Sequence, residues 1–179
     1  MKPPVEPPTG TLPEPWMRGI EPGVDPVIGH LLRAAQHIRE DLAAAIAPLS
    51  VEQLWAKPHG MTSAGFHAQH IAGSTERLCE YLEGRQLTTE QLARLRREGS
   101  GEEPAGALLA GVEHALVRYE GLIRALPPAE FGTVREIGRK RLQTTAISLA
   151  IHIAEHGMRH VGQAVSAAKL SLAVSSAKL

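Results

Sequence analysis

Four stretches of this chain carry apolar residues at intervals of three and four, and the first three are closed off by proline or glycine. Only helices that pack on one another bury such a pattern. In the first, Asp25 reads as an N-cap with Pro26 at the first helical position, and Val27, Leu31, Ala35, Ile38, Leu42 and Ile46 recur until Pro48. The second begins near Thr62 or Ser63, directs Phe66, Ile71, Leu78 and Leu82 inward and ends at Gly84. The third runs from Pro104 to Leu126, where Pro127 and Pro128 stop it. The fourth, from Arg139 to about Lys169, has no proline and two tolerable glycines. Ser50 with Gln53 and Thr88 with Gln91 read as capping boxes for short helices in the connections. The predicted fold is all-α: an antiparallel four-helix bundle, up-down-up-down unless the longer connections carry a crossover. No convincing strand alternation or long internal repeat competes with it.

The boundaries follow from proline and composition. Residues 1–24 form a proline-rich arm, either a flexible leader or one that Trp16 and Met17 anchor on the domain. The bundle occupies 25–170, and 171–179 is a tail. With 19 basic and 19 acidic residues, no net field draws the chain to nucleic acid or an anionic membrane. The single cysteine, Cys79, rules out an internal disulfide and reads as a small buried residue; it suits a cytoplasmic protein. The start lacks an apolar h-region and no long apolar run follows, so neither secretion nor membrane insertion is expected.

Histidine is the outlier, with nine copies, five of them in two short windows. Residues four apart on a helix sit about 40° apart around the axis and about 6 Å along it, so two imidazoles can address one point. His156 and His160 have this spacing, as do His152 and His156. All three cannot easily share one metal, because two turns separate His152 from His160, and a ligand is needed from elsewhere. The second helix supplies it in His70, across a gap of about 8 to 10 Å between packed helices. Three imidazoles with an open fourth position match a catalytic rather than a structural site. Neutral imidazole suits zinc, nickel, copper or iron, and manganese is a further possibility. His67 and His152 are assigned supporting or packing roles, and His30, His37, His59 and His114 none.

A rival motif shares the segment. His152-Ile-Ala-Glu-His156 matches the inverted zincin pattern, which would make Glu155 a general base for a metallopeptidase. No acidic residue follows His156 to complete that ligand set, and Gly157 stands where the forward zincin glutamate would be. No nucleophile elbow, phosphate-binding loop or dinucleotide fingerprint is present.

The segment Leu149-Ala-Ile-His-Ile-Ala-Glu-His-Gly-Met-Arg-His-Val-Gly-Gln163 resembles the last-helix signature of the DinB/YfiT-like superfamily, including Gly162 and Gln163. His67-Ala-Gln-His70-Ile-Ala resembles that family's second-helix segment. The resemblance spans about Asp25 to Lys169. It implies that His70, His156 and His160 are metal ligands, with His67, His152 and Gln163 around them. It also implies a four-helix bundle, frequently a homodimer, acting on a small-molecule substrate. Some members are thiol S-transferases that use low-molecular-weight thiols such as bacillithiol or mycothiol. A metal-dependent transferase or hydrolase is therefore expected, with a non-catalytic metal-binding or stress-associated bundle as the alternative. Arg77, Arg159 and Lys140 are candidates for contacting an anionic thiol.

Overall fold

The computed structural model describes residues 12–99 and 101–176. The first eleven residues of the arm and the last three of the tail lie outside the described residues. Four long helices make up the body: α1 (Pro26–Ile46), α3 (Ala64–Leu82), α5 (Ala105–Arg124) and α6 (Ala146–Ser176). Two short ones, α2 (Val51–Trp55) and α4 (Thr89–Leu95), lie in the connections.

The helix starts obey local chemistry. Asp25 accepts from the Val27 amide and Ser63 from the Phe66 amide. Both expected capping boxes are formed, Ser50 with Gln53 and Thr88 with Gln91. The apolar stripes meet in one core that includes Leu31, Ile38, Leu42, Ile71, Leu116 and Ile153. Tyr119 is fully enclosed there, and its hydroxyl donates to the Ala150 carbonyl at 2.8 Å. A buried phenol needs such an acceptor, because leaving it unpaired costs about 1 to 3 kcal/mol.

Antiparallel pairing holds between α3 and α6, where His67 faces His160 and His70 faces His156. It also holds between α1 and α5, where Arg39 reaches Glu113 and Glu120 while Arg124 reaches back to Glu21. The topology is the crossover one. Gly111 stands beside Ala72 and Arg118 beside Glu80 and Glu83, so α3 and α5 run parallel. Since α1 opposes α5, α6 opposes α3, and α3 and α5 share a direction, α1 and α6 run parallel too, with Ile38 beside Gly157. The chain between α3 and α5 must therefore travel back along the bundle, and that return path is where α4 lies.

The fourth helix begins later than its periodicity suggested. Residues 139–145 are not helical: Val134–Ile137 (β1) and Leu142–Thr145 (β2) form an antiparallel hairpin, with Val134 opposite Thr145 and Ile137 opposite Leu142. Two threonines and two β-branched aliphatics favour extended backbone here. Thr145 then caps α6 by accepting from the Ser148 amide. The orphan amides of Ala146 and Ile147 donate to the carbonyls of Thr133 and Phe131. At the other end α6 continues through Lys169 to Ser176, and the buried Ser171 donates to Gln53.

In the arm, the anchor is not Trp16 or Met17, both of which are exposed. Pro15 is buried instead, and Arg18 holds both oxygens of Glu40 at 2.5 and 2.6 Å. No described helix is long and apolar enough to cross a membrane.

A candidate metal centre of three histidines

His67 and His70 sit on the face of α3 turned to α6, and His156 and His160 sit on the answering face of α6. The close approach of the neighbouring helix depends on Gly157, where an added Cβ would lie 2.6 Å from Ile38 Cδ1. The residue that spoils the forward zincin motif is thus the seat for α1 packing.

His70, His156 and His160 each offer a nitrogen within 4.8 Å of the other two, forming a group able to hold a metal ion. His70 Nε2 and His156 Nε2 are 3.0 Å apart. Two ligands at about 2.05 Å from a tetrahedral ion would be separated by about 3.3 Å, so the observed spacing needs only a small opening. Burial lowers the pKa values of His156 and His160, with the charge of His70 adding to the effect, and His160 is pushed down to about 4. Both rings are therefore neutral at pH 7 and keep a lone pair for a Lewis acid.

The three imidazoles are supported differently. His70 Nδ1 lies 2.6 Å from Glu98 Oε2, so Nδ1 carries the proton and donates it. The carboxylate thereby fixes the tautomer that leaves Nε2 free, the usual arrangement behind a metal-bound histidine. His160 Nδ1 faces His67 Nδ1 at 3.0 Å, an imidazole-to-imidazole contact. His67 is buried, and that burial lowers its pKa, so the contact joins two neutral rings. The ring of His156 neighbours that of His152, with centroids 5.6 Å apart. Phe66 stacks on His70 at 11° between planes.

Sequence reasoning missed Glu98. Its carboxylate is held between His70 and Arg77, which also pairs with it, and its side chain is only 9% exposed. Burial raises the Glu98 pKa, but the hydrogen bonds from His70 and Arg77 outweigh it and keep the carboxyl below its ordinary range. His70, Gly73 and Arg77 fall at i, i+3 and i+7, on one stripe of α3. A Cβ at Gly73 would collide with the Glu98 carboxylate and lie 2.8 Å from Arg77 Nη1. A basic residue two turns after His70, with glycine between, was the available signal; the loop position of Glu98 gave none.

The remaining predicted residues sit as follows. His152 and Glu155 are exposed and lie outside the three-histidine group. Gln163 is exposed, on the turn after His160. Of the three cations considered for a thiol, Arg77 is buried and committed to Glu98, while Arg159 and Lys140 are exposed. Cys79 is fully buried, and burial pushes its thiol up to about 12.

The fold and site define a helical bundle with a histidine cluster between two of its helices. A family model described as the DinB superfamily matches residues 34–164, and the chain belongs to that superfamily. No curated protein matches the chain.

Proposed function

We propose that the protein is a metal-dependent enzyme of the thiol S-transferase or hydrolase type, with His70, His156 and His160 holding one divalent transition metal, zinc or nickel before iron, copper or manganese. The observation that carries this reading is the convergence of three imidazoles from two antiparallel helices, one of them backed by the Glu98 carboxylate. The donor set is all nitrogen, and burial keeps His156 and His160 neutral at pH 7, which suits these ions. When bound, the metal would supply the Lewis acidity that lowers the pKa of a thiol or water in its fourth position.

The chain's own residues hold the site rather than attack the substrate. Glu98 sets the tautomer of His70, and His67 pairs with His160. Cys79 is too deeply buried and too weakly acidic to act as the nucleophile. In the thiol reading, a low-molecular-weight thiol brings the sulfur, forms the new bond to an electrophilic carbon and loses its proton, and the leaving group departs with the electron pair.

Metal content of untagged protein, followed by the rate of thiol conjugation to monochlorobimane, tests the assignment. A His160→Ala variant should lose both metal and the rate above background. Equal rates for the variant and the parent would remove the enzymatic reading and leave a non-catalytic bundle.

A further inference from the structure

Helix α4 buries none of its residues, and beneath it, against α3 and α5, lies a cavity of about 300 Å³. That is the lower end of the size range of small-molecule sites. Its floor is nearly free of side-chain bulk. Ala72 and Gly73 come from α3 and Gly111 from α5, and a Cβ on Gly111 would only just reach that of Ala72 at 3.9 Å. Glu76 follows one turn after Ala72 and Gly73, on the same stripe of α3. Arg94 lines the cavity from α4.

Most of the polar lining is already committed. Arg77 and Glu98 pair with each other, and Arg97 has a partner as well. The side-chain oxygen of Gln69 accepts from the Gly99 amide at 2.7 Å, and that of Gln91 from the Thr88 amide at 2.8 Å. Glu76 and Arg94 are left. Neither forms an ion pair among the described residues, not even with the other, although both line one cavity.

An acid and a base that share a space and stay apart leave room between them for a guest that carries both charges. A zwitterion meets each with its complement and brings no net charge into the cavity. A plain carboxylate is repelled by Glu76 and a plain amine by Arg94, so a guest with a single charge gains one contact and loses at the other. The bare floor of Ala72, Gly73 and Gly111 takes a compact apolar body. We propose that the cavity beneath α4 is a binding site for an amino acid with a small apolar side chain, its carboxylate held by Arg94 and its ammonium group by Glu76. Binding there needs nothing from the histidines, because Glu98 stands between the cavity and His70.

Calorimetric titration of the full-length protein with L-valine, and with L-valinamide and N-acetyl-L-valine as counterparts that each lack one charge, tests the site. L-Valine should bind about tenfold or more tightly than either counterpart. Arg94→Gln should erase its advantage over L-valinamide, and Glu76→Gln its advantage over N-acetyl-L-valine, each weakening L-valine by about tenfold. Gly111→Leu, which fills the cavity and keeps both charges, should abolish binding; its circular dichroism spectrum checks that the bundle has formed. No binding of L-valine, equal binding of the three probes, or parental L-valine affinity in any of the folded variants would each overturn the proposal.

Discussion

Two clusters on α3 pair carboxylates with arginines, and they differ in their surroundings. Near its C-terminal end, Glu80 and Glu83 meet Arg85 and Arg118, whose side chains are 53% and 28% exposed. One turn past its middle, Arg77 meets Glu98, with side chains 11% and 9% exposed. The first cluster has water to screen its arginines, so it fastens α3 to α5 and the following turn weakly. The second cannot be taken apart cheaply, because either partner left alone would be a charge shielded from water. It also has a third member in His70, which turns a structural pair into a support for the histidine centre. The same residue types thus do different things according to depth and to what stands beside them.

The largest way to break the contrast is Arg77→Ala. Stranding the Glu98 carboxylate should lower the unfolding free energy by about 3 kcal/mol, read by urea denaturation of the metal-free protein. A loss below about 1 kcal/mol would put Arg77 in the same class as Arg85. Next comes Glu98→Gln, which keeps the shape and removes the charge behind His70. Zinc affinity should fall by about 10- to 100-fold, and calorimetry giving parental affinity would show that the carboxylate supports only the fold. Gly73→Ala should act in the same direction and less strongly, since the new methyl group displaces Glu98 without removing it. Its zinc affinity should lie between those of the parent and Glu98→Gln.

The smallest effect belongs to the exposed cluster. Arg85→Ala should change stability at pH 7 by less than about 0.5 kcal/mol. Acid sharpens the test. The Glu80 carboxyl is held down at about 2, first by the hydrogen bond from Arg85 and, against burial, by Arg118. A carboxyl depressed in the folded state stabilises it above the unfolded pKa of about 4.3, and the contribution is lost as pH falls from there through 2. Stability measured across that window should decline less steeply in Arg85→Ala than in the parent, and coincident acid limbs would contradict the assignment.

Much of this was legible in one dimension. Capping boxes at Ser50 and Thr88, the proline after Asp25 and the 3.6-residue apolar period are local signals, and the helices begin and end close to where they indicate. The departure at 139–145 has a local cause too, since Leu142 and Ile147 fit a helical stripe while Thr144 and Thr145 favour strand. That conflict was settled by pairing with Val134–Ile137, a partner that periodicity does not reveal.

The histidines divide in the same way. A spacing of four on one helix is set by helical geometry, so the pairing of His156 with His160 could be read directly, and the packing distance between neighbouring helices, together with the family signature, brought in His70. The register of α3 against α6 decided that His67 would face His160 and that His152 would stay outside. Glu98 belonged wholly to the fold. It lies 28 residues from His70, beyond a helix and on a return path that exists because α3 and α5 run parallel. Local chemistry along the chain determined the helices and half of the histidine cluster; long-range packing alone decided which carboxylate would stand behind it, because bringing those residues together takes the whole bundle.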